Sequence, residues 1–439
     1  MGTETELMHV QAARASVQVA VDVPGSKSMT CRALVLAAIS AQPVVLRGAL
    51  RSDDTNALAH AISALGMSMQ WSGDTIKVDQ GEGLQVDGAR VDLGHGGTPA
   101  RFMLGLACLG GRAIGTVVDG SEQLRSRPMG DMVGMLRELG VSVDERGEPG
   151  HLPLCVRGSE WSNTQLVVPQ TRSSQFVSAL LLVASRMRSG LELVFDGIPT
   201  SEPYVLMTLG AMTQWGIDVE IDCVGGHLHR IHVMPSVPTV TDVEIASDAS
   251  SSMFWAAAAA ILPHSDITVS RLCDDGQPDL GGIETLLSMG LTLEDRTQYR
   301  GPAHLRSPGT VDCGGFPDAA PALAVAACYA DGPTRLTGLE TLRDKESDRV
   351  STIASELGRA GVNIVIDGDD LLITPVPLPD TPVIIETWDD HRIAMALAIL
   401  GLRRGGITIA NPECVAKSYP GFWENLARLY AEPARGDTA

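Results

Sequence analysis

Aromatic side chains make up 4% of this 439-residue chain, against 46 glycines and many alanines. So few rings argue against an aromatic-lined groove and for helices packed closely through small side chains, joined by many turns. Basic residues are also outnumbered, leaving a formal net charge of −20. A surface with that balance repels nucleic acid and anionic lipid, so an anionic ligand needs a local basic exception. Long apolar runs are missing as well. The longest, Met253–Leu262, falls far short of the roughly 20 residues that cross a bilayer, and Met1–Val23 has no basic start followed by an apolar stretch. A cytoplasmic protein without membrane or nucleic-acid partners is expected. The eight cysteines (Cys31, Cys108, Cys155, Cys223, Cys273, Cys313, Cys328, Cys414) are dispersed and form no C-x-x-C pair. Neither a disulfide framework nor a zinc site is expected, and no cofactor. Cys108 and Cys328 read as small buried hydrophobes.

What the chain does have is an internal repeat. A helix–Gly–strand phrase recurs as AISALGMSM, MLRELGVSV, TQWGIDVEI, LLSMGLTL and GRAGVNIVI, with Gly66, Gly140, Gly216, Gly290 and Gly361 spaced 71 to 76 residues apart. A glycine just past an amphipathic helix is the usual left-handed cap, and the alternating run after it reads as a strand. A second phrase, rich in Ala and Leu, begins near Ala33, Phe102, Ala179, Trp255, Ala322 and Ala394. These helices are apolar nearly all round and should be buried. A polar cluster precedes each: GSKSMTCR, GGTPAR, TRSSQ, SDASSS, FPDAA and WDDHR.

The chain thus reads as six units of about 73 residues. Propeller blades lack helices, and common solenoid repeats are shorter. Two closed lobes of three units fit domain sizes best, with the boundary around Thr239–Ala246, where PSVPTVTDVEIAS has no helical period. Buried helices that start from polar turns would point their N-termini at one region. Such termini attract phosphate and carboxylate, so a cleft between the lobes is the expected anion site.

In PGSKSMTCR, Lys27, Ser28 and Arg32 stand at the start of the first buried helix, with Arg32 one turn beyond Ser28. Lys as a point charge and Arg as a fork suit a phosphate or carboxylate, although a capped, solvated helix start has the same local composition. PGSKS-x-x-x-R resembles the opening signature of the 5-enolpyruvylshikimate-3-phosphate synthase family. Eight further clusters follow in that family's order: GGTPAR (96–101), RSRP (125–128), SSQF (173–176), SEPY (201–204), FPDAA (316–320), KESDR (345–349), DDHR (389–392) and AKSYP (416–420).

The resemblance implies a two-lobed inverse α/β barrel of six βαβαββ repeats, three per lobe. One lobe would span 25–242, and the other would join 1–24 to 243–439. It further implies that Ser28, Arg32, Ser173, Ser174, Gln175, Ser201, Tyr204, Thr341 and Lys345 bind shikimate 3-phosphate, with Lys27 and Asp318 beside it. Lys27, Gly97, Arg127, Gln175, Arg349, Arg392 and Lys417 would bind phosphoenolpyruvate. Asp318 and Glu346 would be the proton-transfer carboxylates, with Lys27 and His391 also in catalytic positions. Transfer of an enolpyruvyl group needs a base for the attacking hydroxyl, an acid for the methylene carbon, and cations for a phosphate beside a carboxylate. No metal is required, the protein would be a monomer, and its partners would be the two small-molecule substrates.

Each residue also has a plainer reading. Asp318 follows Pro317 and fits a helix cap; Glu346 and Asp348 alternate with Lys345 and Arg349 as a solvated ion-pair face would. His391 fits a satisfied structural histidine, and Ser173 and Ser174 fit simple caps. Some positions depart from the family's pattern: His95 where Asn is common, Pro99 and Phe102 beside the phosphate-facing turn linked to the inhibitor glyphosate, Thr341 in place of Asn, and an additional Arg172. Two rivals stand. The sister transferase acting on UDP-N-acetylglucosamine opens with Lys-Asn and carries a loop cysteine, whereas here Lys27 is followed by Ser28 and Gly94–Arg127 contains Cys108 alone. A non-catalytic phosphometabolite binder would keep the cations and lose the carboxylates.

Overall fold

The structure, a computed structural model, describes residues 6–14, 17–81, 83–111, 113–158 and 161–430. Its described residues fall into two compact units, one within 25–246 and one combining 1–24 with 247–439. Each has its own apolar core.

In the 25–246 unit, three four-stranded sheets share one pattern: two parallel strands followed by an antiparallel hairpin. Arg90–Asp92 pairs in parallel with Thr116–Asp119, which continues into Leu154–Arg157 and Ser142–Glu145. Gln165–Val168, Leu191–Phe195, His227–Val233 and Val219–Val224 repeat the order. In the third sheet the first strand is Asp242–Glu244, which lies parallel to Val44–Arg47, so this strand belongs to the same unit as the repeat it completes. The other unit contains two four-stranded sheets and one of three strands. Its sheets borrow the N-terminal strands: Gln18–Val21 pairs with Asp266–Val269, and Leu7–His9 with Ile407–Ala410. The last repeat therefore departs from the expected βαβαββ order, because its third strand comes from the start of the chain.

Of the six apolar helices, Gly97–Ala107, Ser174–Ala184, Ala320–Ala327 and His391–Arg404 each join two paired parallel strands, whereas Lys27–Ile39 and Ala249–Ile261 each join strands of different sheets. All 13 residues of Ala249–Ile261 are buried. Helices inside and sheets outside is the inverse of a strand-lined barrel. The helices start two to six residues earlier than their apolar runs, because the polar clusters form their first turns. Ser26, Ser173, Asp248 and Asp390 each cap one of them by accepting a backbone amide hydrogen. Cys108 lies just past the end of its helix and is buried. Small residues allow the close packing: a side chain on Gly105 would strike the Ala179 carbonyl of the neighbouring helix. The five repeat glycines all take positive φ, from 78° at Gly216 to 113° at Gly290, as the left-handed cap requires.

The few aromatics are concentrated. Trp255, Tyr419 and Phe422 stack within 5.5–6.2 Å of one another, and Trp255 Nε1 donates to Tyr419 Oη at 3.1 Å. Burying each such side chain stabilises the fold by about 1.5–3 kcal/mol. The cluster anchors the segment that carries Lys417 onto the Ala249–Ile261 helix.

Candidate active site

In the 25–246 unit the decisive group is Arg32. Its side chain projects from the Lys27–Ile39 helix and is 2% exposed. Nε donates to Thr208 Oγ1 (2.8 Å), Nη1 to the Ser28 carbonyl (3.0 Å), and Nη2 to Ser178 Oγ (3.4 Å) and the Tyr204 carbonyl (3.3 Å), with the Phe102 ring 5.4 Å below. No carboxylate among the described residues pairs with it. Burial lowers the guanidinium to about 10, the mark of a cation without a counter-ion. Hydroxyls and carbonyls alone compensate a buried charge poorly, so the site is electrostatically incomplete until an anion arrives.

A second pair of guanidinium groups gathers at the Gly97–Ala107 helix. Arg127 and Arg101 are each 6% exposed. Arg101 Nη1 donates to Gln175 Oε1 at 2.5 Å, and the guanidinium lies over the Phe176 ring. Gly97 is what admits them: an added Cβ would strike Arg127 and come within 3.9 Å of Arg101 Nη1. Lys27 pairs with the buried Asp54 at 3.1 Å. Ser173 caps the Ser174–Ala184 helix by accepting from the Gln175 amide, so its capping role is real. Ser201 holds a left-handed φ of 47° at the start of Glu202–Gln214. Arg172 is exposed, its amide bound to Asp131. His95 Nδ1 stands 3.0 Å from Ser121 Oγ and 3.1 Å from Gln123 Oε1.

The other unit presents an opposite arrangement, in which cations and carboxylates already satisfy one another. Arg349, 1% exposed, is the hub. It bonds Asp390 through Nε (2.7 Å) and Nη2 (3.2 Å), Asp318 through Nη1 (2.8 Å) and Glu346 through Nη2 (2.7 Å). Asp318 also faces Arg392 Nη2 at 3.0 Å and Lys345 Nζ at 3.4 Å, while Lys417 Nζ lies 3.3 Å from Glu346 Oε1. Burial opposes the charge on Asp318, but Arg392, Lys345 and Arg349 outweigh it and hold the carboxyl well below the usual range. Lys345 is pushed down by burial. Asp318 sits in the short turn Pro317–Ala319 and is not a helix cap; its oxygens go to the cations. Arg349 is buried and the Glu346 side chain is 8% exposed, so the two are not a solvated face, whereas Asp348 caps the next helix and pairs with Arg343 near the surface. His391 opens its helix, 1% exposed, with Nδ1 4.0 Å from Asp390. Thr341 Oγ1 is buried in the turn Glu340–Asp344 without a hydrogen-bond partner among the described residues.

A match to the family model for EPSP synthase (3-phosphoshikimate 1-carboxyvinyltransferase) runs over residues 12–426. The chain belongs to the EPSP synthase family. It is 34% identical over 418 residues to the 3-phosphoshikimate 1-carboxyvinyltransferase of Methanospirillum hungatei JF-1, covering 93% of this chain and 95% of that one. Identity to the Rhizobium etli CFN 42 protein of the same name is 36% over 419 residues, covering 92% and 93%. Among solved structures, the EPSP synthase of Acinetobacter baumannii superposes with a TM-score of 0.79 at 26% identity, covering 97% of this chain and 98% of that one. The enolpyruvyl transferase NikO from Streptomyces tendae, at 19% identity and a TM-score of 0.75 over 96% of both chains, shares the fold.

Three participants escaped the reading of the sequence. Arg101 closes the GGTPAR motif without an assigned role, yet it fixes the Gln175 amide. Asp54 faces Lys27, and Asp390, 0% exposed, organises Arg349. Asp390 sits in an acidic pair, so no local charge alternation marks it as the partner of a residue 41 positions away.

Proposed function

We propose that this chain transfers the enolpyruvyl group of phosphoenolpyruvate to the 5-hydroxyl of shikimate 3-phosphate, releasing phosphate in the step of the shikimate pathway that leads toward chorismate and the aromatic amino acids. The observation that carries the reading is the pair Asp318 and Glu346, held on one buried guanidinium and ringed by Lys345, Arg392 and Lys417.

The hydroxyl oxygen adds to C2 of phosphoenolpyruvate while C3 gains a proton, giving a tetrahedral intermediate; loss of a proton from the C3 methyl with expulsion of phosphate then regenerates the double bond. Asp318, kept ionised by its three cations, fits the base that takes the hydroxyl proton. Glu346 fits the donor to C3. To donate it must first carry a proton, and the arriving phosphate and carboxylate give Lys417 and Arg349 competing anions. Arg32 is the natural partner of the acceptor's phosphate, because it is buried on hydroxyls and carbonyls and no carboxylate among the described residues pairs with it. Ser28, Ser173, Ser174, Gln175, Ser201, Tyr204, Thr341 and Lys345 complete the acceptor's contacts in this reading. Lys27, Gly97, Arg127, Arg349, Arg392 and Lys417 complete those of phosphoenolpyruvate, and His391 supports the Asp390 end of the cluster. The lobes of the reading are 25–242 and 1–24 with 243–439, a boundary that the strand Asp242–Glu244 moves to the far side of Glu244.

Phosphate release from phosphoenolpyruvate, measured with shikimate 3-phosphate and with UDP-N-acetylglucosamine as acceptors, tests it; release with the second acceptor alone would overturn it. Asp318→Asn should lose about a thousandfold in turnover, in line with removal of a general base and its charge, yet still bind shikimate 3-phosphate. The reading also includes a cytoplasmic monomer, which sedimentation at 46.3 kDa would check.

A further inference from the structure

The helix Leu280–Ser288 is preceded by a residue type that ordinarily caps it. Asp in this place usually accepts an amide hydrogen from the second or third residue of its own helix. Asp279 does not: its side chain makes no capping bond, it is 2% exposed, and it takes a hydrogen bond from the hydroxyl of Ser250 in the first turn of Ala249–Ile261. Two glycines bring this carboxyl close to the turn that bears Asp318. A Cβ on Gly281 would come within 2.7 Å of Phe316 Cδ1, and one on Gly282 within 2.5 Å of Ala319 Cβ, so a side chain at either would push helix and turn apart. Gln277 fixes the other flank, accepting from the Ala249 amide at 2.9 Å and donating to the Ser247 carbonyl at 2.9 Å. The charges that act on Asp279 are Asp318 of the turn, Arg392 of His391–Arg404 and Asp248 before Ala249–Ile261, while the Cys313 thiol responds to it from the end of a strand. The fold keeps this carboxyl from water without using it as a cap.

We propose that Asp279 is a positioning residue for the transfer site: its carboxylate acts on Arg392 alongside Asp318 and so sets how strongly Arg392 attracts an anionic ligand. The proposal rests on the reading that Arg392 binds an anion in the family's reaction. Burial and the neighbouring Asp318 raise Asp279 to about 6, so it loses its charge in mildly acid solution, whereas Asp318 stays ionised. Arg392 then answers to one carboxylate fewer and binds anions more tightly.

Sulfate, a dianion throughout the range from pH 5 to 8, is the probe, and its dissociation constant by calorimetry is the readout. Wild-type affinity should rise about three- to tenfold between pH 7.5 and 5.5, the scale of one charge removed nearby at intermediate dielectric. Asp279→Asn keeps the shape and the Ser250 partner but not the charge. It should abolish that rise and bind sulfate at pH 7.5 as tightly as wild type does at 5.5; in an Arg392→Met background it should change nothing. An unaltered pH slope in Asp279→Asn overturns the proposal. Should that variant fail to fold, Ser250→Ala removes a hydrogen bond that favours the ionised carboxyl and must move the midpoint of the slope upward; an unmoved midpoint overturns it equally. Sulfate binding needs no turnover, so this failure is distinguishable from absence of enolpyruvyl transfer.

Discussion

Replacing Arg349 by Met exposes how the carboxylate cluster is held together. The guanidinium makes four bonds of 2.7–3.2 Å to Asp390, Asp318 and Glu346. Charge-assisted bonds of this kind contribute about 1.5–3 kcal/mol each, but they do not simply sum here. Asp318 would keep Arg392 and Lys345, and Glu346 would keep Lys417. Asp390 would retain Ser347 at 3.1 Å, the Arg392 amide, and His391 at 4.0 Å. A fully buried carboxylate would thus lose its guanidinium partner, for which about 3–5 kcal/mol is the expected cost. Met fills similar volume, so little of the loss is packing. Urea unfolding read by hydrogen exchange in Ala249–Ile261 reports on the correct unit. A deficit below about 1 kcal/mol at pH 7.5 would refute the reasoning.

Two further variants separate ligand binding from stability. Arg32→Met should weaken shikimate 3-phosphate binding about ten- to a hundredfold, the loss of one buried charge-assisted cation–phosphate contact. It should leave the melting temperature unchanged or higher, because an uncompensated buried charge is gone; calorimetry and thermal unfolding check the two halves. Gly97→Ala should raise KM for phosphoenolpyruvate about tenfold by displacing Arg127, with kcat changed less, as steady-state kinetics would show.

The repeat was legible because it rests on local chemistry. A glycine in the left-handed cap and an apolar helix announce themselves within ten residues, and Gly66 through Gly361 did so. The helix starts were harder, since residues such as Lys27 and His391 belong to first turns while looking like loop. Pairing across the chain was not legible from local pattern; only the family resemblance implied that 1–24 joins 243–439. Asp242–Glu244 is three residues long in a stretch rich in Pro and Val, and its partner Val44–Arg47 lies nearly 200 positions earlier. The site divides in the same way. Lys27 and Arg349 stood out by motif, whereas their partners Asp54 and Asp390 face them only through tertiary packing.

The strand exchange at the chain start has a consequence for synthesis. Gln18–Val21 cannot pair until Asp266–Val269 exists, and Leu7–His9 must wait for Ile407–Ala410. At about 5–20 residues per second, the first wait lasts on the order of ten to fifty seconds. The 25–246 unit has all its strands by residue 244, so it can finish folding on the ribosome while these early strands have no sheet to join. Their edges are then open to any other extended chain, and the nascent protein has its greatest need of a chaperone while these strands wait.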